Sequence, residues 1–213
     1  MSVEKIFWRD PYLVELEAQV TSVNSNIITL DKTIAFAVSG GQQSDAGTIG
    51  GWDIIKAEKQ GLEIFYTLPI EHSLSCGQHV AVKIDWERRY KLMRLHFAAE
   101  LVLELVYQRF NHPDKIGANI SADKARVDFA WTGNISEIFP YLLEQINGIV
   151  AADLEIVSDI EDVELERRYW QIAGFAKVPC GGTHLKRTGE IGAIRLKRNN
   201  IGGGKERIEI TLV

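Results

Sequence analysis

The stretch DWERRYKLMRLHFAAELVLELVYQRF, residues 85–110, decides how the rest of the chain is organised. Its apolar residues recur at steps of three and four, a spacing that places them on one side of an α-helix. We therefore predict a helix from Trp86 to about Phe110. Asp85 can begin it by accepting a hydrogen bond from a backbone N–H of the first turn. The predicted apolar stripe consists of Leu92, Leu95, Ala99, Leu103 and Val106.

Two ionisable residues in this helix, His96 and Glu100, are four positions apart. Their side chains leave the helix on the same face, one turn apart, and can share a partner. An ordinary surface pair, or a half-buried histidine bonded to its neighbour, has the same spacing. The pair alone therefore does not establish a functional site.

The residues before the helix alternate between apolar and polar, which is typical of a strand with one buried face. This alternation runs from Val14 to Thr21, and further strand-like runs lie at 27–30, 53–57, 62–67 and 80–84. Turn residues such as Asn24-Ser25-Asn26 and Gln60-Gly61 separate them. We predict a small β-barrel or sandwich here and divide the chain into a β-barrel domain, 1–86, and a second domain, 87–213.

The residues after the helix mix strand and helix patterns, so the fold class is α+β, with an antiparallel sheet and packed helices in the second domain. The predicted strands are at 126–129, 154–157, 191–197 and 207–213, and the predicted helices are at 136–152 and 161–172. Asn199-Asn200 and the glycines at 202–204 join the last two strands.

A glycine-rich loop, Pro179-Cys180-Gly181-Gly182-Thr183-His184, brings a thiol and an imidazole close together in the sequence. Cysteine and histidine are preferred zinc ligands, and with His96 they make the three protein donors of a catalytic zinc site. A buried thiol or a simple turn explains the loop equally well.

A second glycine-rich stretch, Ser39-Gly40-Gly41-Gln42-Gln43-Ser44-Asp45-Ala46-Gly47, lies in the predicted β-domain. Its glycines permit close approach of the backbone, and polar side chains stand between them. A tight turn has the same composition, so the stretch by itself is a weak signal.

Composition excludes several classes of protein. With 213 residues, 46% of them hydrophobic, the chain can bury a core, but no apolar run approaches the roughly 20 residues needed to cross a bilayer. The first ten residues do not resemble a signal peptide, and two cysteines do not make a disulfide framework. We expect a cytoplasmic protein that does not bind membranes.

Charge is unevenly distributed along the chain. The net charge is −5, yet the segment 184–213 carries +4 and the remainder −9. A basic segment on an acidic body can contact a phosphate backbone, and a solvated hairpin face is an equally good explanation.

Taken together and in this order, the three motifs resemble the editing module of alanyl-tRNA synthetase and its freestanding AlaX relatives of the medium-length type. The likeness extends to the editing domain of threonyl-tRNA synthetase. It covers nearly the whole chain: a GGQxxDxG stretch in an N-terminal β-domain, a helix with His96 where the family has HxxxH, and CGGTH followed by a sheet rich in glycine and basic residues. No aminoacylation domain is expected within this chain.

The resemblance implies one zinc ion, held by His96, position 100, Cys180 and His184. Position 100 departs from the pattern, because Glu100 replaces the second histidine, and Phe97 replaces the usual threonine or serine. Three explanations remain open: Glu100 ligates zinc; His96, Cys180 and His184 hold zinc while Glu100 accepts a proton from water; or metal and activity are lost.

The resemblance also implies a reaction and a partner, namely hydrolysis of alanine tRNA mischarged with serine or glycine, by a monomer or weak dimer. An active site built for alanine discriminates poorly against these amino acids, so a second hydrolytic site restores fidelity. Gln42 would line the pocket, and Lys197, Arg198 and Lys205 would contact phosphates. The alternatives are a catalytically inactive homologue that binds tRNA or a synthetase, and a zinc hydrolase of another ester.

Overall fold

The computed structural model describes residues 2–213, which divide into two compact units. Unit 1 consists of the described residues up to Ser39 together with Gln43–Tyr90, and unit 2 consists of Gly40–Gln42 and Lys91–Val213. The α+β fold class is confirmed, because strands predominate and two α-helices accompany them. The division into domains at residue 86 stays a prediction.

Unit 1 is built around a seven-stranded antiparallel sheet in the order β6-β5-β9-β2-β3-β8-β7, and a short parallel pair, β1 and β4, accompanies it. The strands are β1 Glu4–Lys5, β2 Glu15–Asn24, β3 Ile27–Leu30, β4 Lys32–Thr33, β5 Gly47–Ile49, β6 Trp52–Asp53, β7 Lys56–Gln60, β8 Glu63–Thr67 and β9 His79–Ile84. Strand β2 pairs with β9 through its first half and with β3 through its second half, so the sheet curls around it. Closure into a small barrel stays a prediction.

The predicted turns of unit 1 are present. Asn24 pairs with Ile27, and Ser25 between them has a left-handed φ of 55°, as a two-residue hairpin requires. Gly61 has a φ of 60° in the turn between β7 and β8. The apolar members of the alternating strands, among them Ala18, Val20 and Ile28, enter one buried core.

The predicted long helix is confirmed as α1, Trp86–Arg109, and the Asp85 carboxylate accepts the Arg88 backbone N–H at 3.0 Å. Its buried surface is wider than the predicted stripe. Leu92, Leu95, Ala99 and Val106 are buried and Leu103 is half-buried. The additional fully buried residues are Met93, Phe97, Ala98, Leu101 and Val102. The helix is therefore an internal element and not an amphipathic surface helix.

The rest of unit 2 contains two antiparallel sheets, in the orders β10-β11-β16-β15 and β12-β13-β14. Its strands are β10 Lys115–Ile120, β11 Ala125–Ala130, β12 Val157–Asp162, β13 Arg167–Ile172, β14 Ala176–Pro179, β15 Ile194–Gly202 and β16 Lys205–Leu212. Helix α2 spans Phe139–Ala152, with Pro140 in its first turn, and Asp153 ends it in the left-handed conformation with φ 46°.

The predicted helix at 161–172 is wrong, because these residues form the end of β12, a turn and strand β13. Arg168, Trp170 and Ile172 are buried in alternation, a period of two and not of 3.6. Strand β13 pairs with β12 on one side and β14 on the other, so ladder hydrogen bonds satisfy its backbone. The strand predicted at 154–157 begins at Val157 instead.

Helix α1 is long enough to cross a bilayer but carries too many charges, and none of the helices formed by residues 2–213 meets the requirements of a membrane span.

Candidate metal centre and active site

Helix α1 places His96 and Glu100 one turn apart, as their spacing predicted. His96 Nε2 lies 3.2 Å from Glu100 Oε1. His96 is 5% exposed, so the pair lies inside unit 2 and not on a solvated helix surface. The first of the two ordinary explanations, a surface pair, therefore does not apply.

The Gly-Gly-Gln loop meets the same histidine. Gly41 accepts the Ile120 backbone N–H at 2.8 Å, and a Cβ on Gly41 would lie 2.8 Å from the carbonyl oxygen of Ala118, so this close approach needs glycine. The approach aims Gln42 inward. Its Oε1 lies 2.5 Å from His96 Nδ1, and its Nε2 donates to Thr183 Oγ1 at 2.9 Å.

The contact between Gln42 Oε1 and His96 Nδ1 determines which nitrogen of the His96 ring carries a hydrogen. An amide oxygen accepts hydrogen bonds only, so Nδ1 of His96 carries a hydrogen and donates it to Gln42. In the neutral ring, Nε2 then has the free electron pair, and it faces Cys180. Gln42 thus acts on His96 in the way that outer partners of metal-binding histidines do.

The CGGTH loop follows strand β14 and supplies the other two donors. Its first backbone N–H, that of Cys180, donates to the Arg168 carbonyl at 2.8 Å. The Arg168 guanidinium in turn donates to the Gly182 carbonyl at 3.1 Å. Cys180 Sγ lies 3.3 Å from His96 Nε2 and 3.3 Å from His184 Nε2. The far nitrogen of His184, Nδ1, lies 2.9 Å from Ser158 Oγ.

The three donor atoms of His96, Cys180 and His184 lie within 4.8 Å of one another and form a group that could hold a metal ion. In a tetrahedral zinc site, bonds of about 2.0 Å to nitrogen and 2.3 Å to sulfur give a nitrogen–sulfur separation of about 3.5 Å. The two observed separations of 3.3 Å fit that geometry. The chemistry and spacing of the three donors are therefore right for zinc.

Glu100 lies beside this group and is not one of its members. Its Oε1 is 3.2 Å from His96 Nε2 and 3.6 Å from Cys180 Sγ. Its Oε2 accepts the Trp170 indole N–H at 3.1 Å. Whether Glu100 is a fourth ligand stays a prediction.

The site is strongly polarised. Burial lowers the pKa of His96, but the negative charges of Cys180 and Glu100 outweigh it and raise that pKa to about 10. Burial raises the pKa of Glu100, but its hydrogen bond to His96 and the charge of that ring outweigh it and lower the pKa to about 2. Burial and the charge of His96 hold the pKa of His184 well below its usual value. Without metal, His96 is therefore a cation at neutral pH, and His184 is neutral.

The sequence analysis did not name several residues that the structure places at the site. Trp170 and Arg168 come from strand β13, inside the segment 161–172 for which the sequence predicted a helix, and Ser158 comes from β12, just after the strand predicted at 154–157. A period-two reading of residues 167–172 is the signal that could have found the first two. Thr183 lies inside the CGGTH motif itself, and its hydroxyl accepts the hydrogen bond from Gln42.

The centre opens into a cleft of about 480 Å³ in unit 2, and Cys180 forms part of its wall. The rest of the lining comes from Glu161, Glu166, Arg167, Arg168, Pro179 and Gly181. A larger cleft of about 810 Å³ lies in unit 1 around Thr21 and Cys76, and none of the predicted site residues lines it.

The three predicted phosphate-binding residues lie in different surroundings. Lys197 is exposed and stands opposite Glu209 in the β15–β16 pair. Arg198 points to the other face of the sheet, where its guanidinium binds the buried carboxylate of Glu206 at 2.5 and 2.6 Å. Lys205 is exposed at the start of β16. Phosphate binding stays a prediction for all three.

Comparison with known proteins identifies a family model and close relatives. Residues 168–209 match the model described as the threonyl and alanyl tRNA synthetase second additional domain. The chain is 34% identical to the alanyl-tRNA editing protein AlaX-M of Pyrococcus horikoshii over 212 residues. That alignment covers 98% of this chain and 97% of AlaX-M, so the two proteins match almost from end to end.

Two longer relatives match over part of their length. The alanyl-tRNA editing protein AlaX-L of Pyrococcus horikoshii is 31% identical over 92% of this chain and 54% of its own length. The alanine–tRNA ligase of Ignicoccus hospitalis is 30% identical over 96% of this chain and 25% of the ligase. The chain thus spans about half of the first protein and a quarter of the second.

Proposed function

Because the chain belongs to the family of alanyl-tRNA editing proteins, we propose that it hydrolyses the ester between the terminal ribose of alanine tRNA and a wrongly attached serine or glycine. One observation carries the proposal. Gln42, His96, Cys180, His184 and Glu100 come from three separate segments of the chain and converge on one point at the wall of a cleft. We place the reaction in the cytoplasm.

His96, Cys180 and His184 would hold a zinc ion, with Gln42 and Ser158 orienting the two imidazoles. Bound there, zinc would supply positive charge that polarises the substrate or a water molecule. Ligation by all four predicted residues is not needed for this role.

Glu100 would accept the proton of the attacking water. It is an ionised carboxylate beside the three donors, and its Oε1 lies 3.6 Å from Cys180 Sγ, so a water held at the centre would lie within its reach. The water oxygen bonds to the ester carbonyl carbon, and the proton passes to Glu100. When the carbon–oxygen bond to ribose breaks, the same proton passes to the ribose oxygen.

Gln42 would act on the substrate indirectly. It is 1% exposed, and both ends of its amide hold other residues of the site, namely His96 and Thr183. Its contribution to specificity would therefore come through the positions of that ring and that hydroxyl, and not through direct contact with serine.

The phosphate backbone of tRNA would lie against the outer face of the four-stranded sheet in unit 2. Lys197, Glu209 and Arg126 are directly paired across three strands, so their side chains share that face. The cations on it are Arg126, Arg195, Lys197, Lys205 and Arg207, and the anions are Asp128 and Glu209. Asp128 forms ion pairs with Arg126 and Arg207, which leaves Arg195, Lys197 and Lys205 as the cations offered to phosphate. Arg198 is assigned a structural role with Glu206, and Lys205 would contact phosphate at the hairpin end.

The decisive experiment is deacylation of purified alanine tRNA charged with serine, glycine or alanine, with metal content measured on the same samples. We expect turnover of the serine or glycine ester, about one zinc per chain, and loss of both in Cys180→Ala. Cys76→Ala is the matched control, because Cys76 lies in unit 1 and is exposed.

Other outcomes would assign a different function. A protein with neither zinc nor turnover that still binds tRNA would be a catalytically inactive homologue. A zinc protein that cleaves small esters, and that uncharged tRNA does not inhibit, would be a hydrolase with another substrate.

A further inference from the structure

Trp170 lies at the centre of strand β13 and is the largest fully buried side chain among residues 2–213. Its ring makes an edge-type contact with Phe97 at a centroid distance of 5.0 Å, and it stacks on Phe175 at 6.5 Å. A buried indole N–H needs an acceptor, and this one donates to Glu100 Oε2 at 3.1 Å. The packing of Trp170 against Phe97 and Phe175 therefore fixes the position of its indole N–H independently of Glu100.

This hydrogen bond makes the two oxygens of Glu100 unequal. The last torsion of a glutamate side chain is soft, so an unrestrained carboxylate presents either oxygen or both. Here the indole N–H holds Oε2, and only Oε1 faces His96 Nε2 and Cys180 Sγ. The carboxylate is thus restricted to a single oxygen on the side of the metal-binding group.

We propose that Trp170 is a positioning residue that holds Glu100 in the orientation in which one oxygen serves the centre. In its catalytic part this inference rests on the proposed function, but the orientation of the carboxylate toward a bound metal does not. Loss of the N–H would free Oε2, so that Glu100 could rotate or present both oxygens.

The first test compares Trp170→Phe, which keeps an apolar ring and removes the N–H, with Trp131→Phe, at the other tryptophan of unit 2. We expect Trp170→Phe to lower kcat by about 10- to 100-fold, as outer partners of metal sites do, with KM changed less than about threefold. Trp131→Phe should leave both constants unchanged. A kcat of Trp170→Phe equal to that of wild type would overturn the proposal.

A double-mutant cycle separates orientation from packing. If Trp170 acts through Glu100, Trp170→Phe should have no further effect on kcat in a Glu100→Gln background. Equal and additive losses in both backgrounds would mean that Trp170 only fills space, and the proposal would fail.

Cobalt provides a measurement that does not depend on substrate. Its visible absorption reports the number and type of its ligands, so we expect the spectrum of the cobalt protein and its cobalt affinity to change in Trp170→Phe and to stay constant in Trp131→Phe. An unchanged spectrum and affinity would overturn the proposal even for a chain without deacylase activity. Inactivity with a changed spectrum would reject the proposed function alone.

If Trp170→Phe does not fold, a test on the protein with Trp170 in place remains. In the ¹⁵N-labelled protein, the Trp170 indole N–H resonance should move in Glu100→Gln, since its acceptor loses a charge. A resonance that stays in place would show that the hydrogen bond is not formed, and would exclude the positioning role.

Discussion

Gly182 leaves the space that the ring of His96 occupies. A Cβ at this position would lie 2.1 Å from His96 Cε1 and 2.8 Å from Gln42 Oε1, so Gly182→Ala must displace one of the two side chains. We expect the zinc affinity to fall by at least about tenfold, because a metal site tolerates little displacement of a ligand. The measurement is zinc binding by competition with a chelator.

Gly181→Ala is the matched control for this prediction. A Cβ on Gly181 would meet no atom within 4 Å, and the residue belongs to the same loop. Equal zinc affinity in the two variants would mean that the loop is loose and that the close approach at Gly182 does not matter.

The charge state of the centre gives the metal-free protein a defined dependence on pH. The pKa of His96 is raised from 6.5 to about 10, so its contribution to stability is complete below pH 6.5 and is lost as the pH rises toward 10. The pKa of Glu100 is lowered from 4.5 to about 2, so its contribution is complete above pH 4.5 and is lost as the pH falls toward 2. The pair should therefore stabilise the metal-free protein most between pH 4.5 and 6.5.

With zinc bound, the stability of the protein should rise with pH above 6.5, where that of the metal-free protein falls. Zinc must displace the proton of His96, so its affinity should rise with pH between 6.5 and 10. Urea unfolding at about pH 6 and pH 9 measures the free energy of unfolding with and without zinc. In Glu100→Gln, the change of this free energy with pH should be smaller for the metal-free protein. A metal-free wild type that gains stability over Glu100→Gln on going to pH 9 would contradict the assignment.

At this scale the sequence named the residues that meet at the centre, together with Gln42, and missed the other residues that hold them in place. His96 and Glu100 follow from helical spacing, and Cys180 and His184 from a short loop, so local geometry brings each pair together. Ser158, Arg168 and Trp170 reach the centre only through the pairing of strands β12, β13 and β14. Strand pairing is a contact between distant positions, and no local pattern specifies it.

At the scale of elements, unit 1 contains a buried ion pair between the first turn of α1 and the loop before β5. Arg89 Nε donates to Asp45 Oδ1 at 2.8 Å, a second contact joins Nη2 to Oδ2, and neither side chain is more than 1% exposed. Arg89 also donates to the carbonyls of Ile34 and Pro11. The guanidinium thus joins three segments of the chain.

We expect Asp45→Ala to lower the free energy of unfolding by about 3–5 kcal/mol, because it leaves a buried charge without its partner. The measurement is urea denaturation followed by far-ultraviolet circular dichroism. Glu15→Ala is the control, since its partner Lys83 and Glu15 itself are more than half exposed, and such pairs contribute about 0–1 kcal/mol. Similar losses in both variants would show that burial does not decide the effect.

The sequence predicted elements well where one periodicity dominated. Helix α1 was found with nearly the observed ends, because its apolar spacing is regular and Asp85 marks its start. Strand β3 was found because the turn residues at 24–26 precede it. The segment at 161–172 failed because its acidic first half has no apolar period, and the alternation of Arg168, Trp170 and Ile172 includes a charged residue on the buried face. A buried arginine makes a strand resemble a polar segment.

At the scale of the whole molecule, an acidic chain can bind tRNA because its positive charges are concentrated on one sheet face. The chain carries −5 overall, which by itself disfavours a nucleic-acid partner. Yet the C-terminal hairpin pairs β16 with β11 and β15, and this pairing collects five cations and two anions on one sheet face. A local excess of positive charge is enough to bind a phosphate backbone, because each contact releases counterions independently.

The outer sheet face should therefore govern the salt dependence of tRNA binding. In Arg195→Ala/Lys197→Ala we expect the slope of log affinity against log salt to become shallower by about 2, one for each lost phosphate contact. The kcat at saturating tRNA should not change, since neither residue touches the metal centre. Filter binding of uncharged alanine tRNA at four or five salt concentrations measures the slope.

Two control variants separate the effect of this face from the effect of net charge. Lys83→Ala, in unit 1, controls for the general effect of removing a cation and should change the slope by less than about half a unit. Arg198→Ala should lower stability and leave the slope unchanged, because its guanidinium binds the buried carboxylate of Glu206. A slope that shifts equally in Lys83→Ala and in the double variant would mean that tRNA senses only net charge, and the assignment of this face would be wrong.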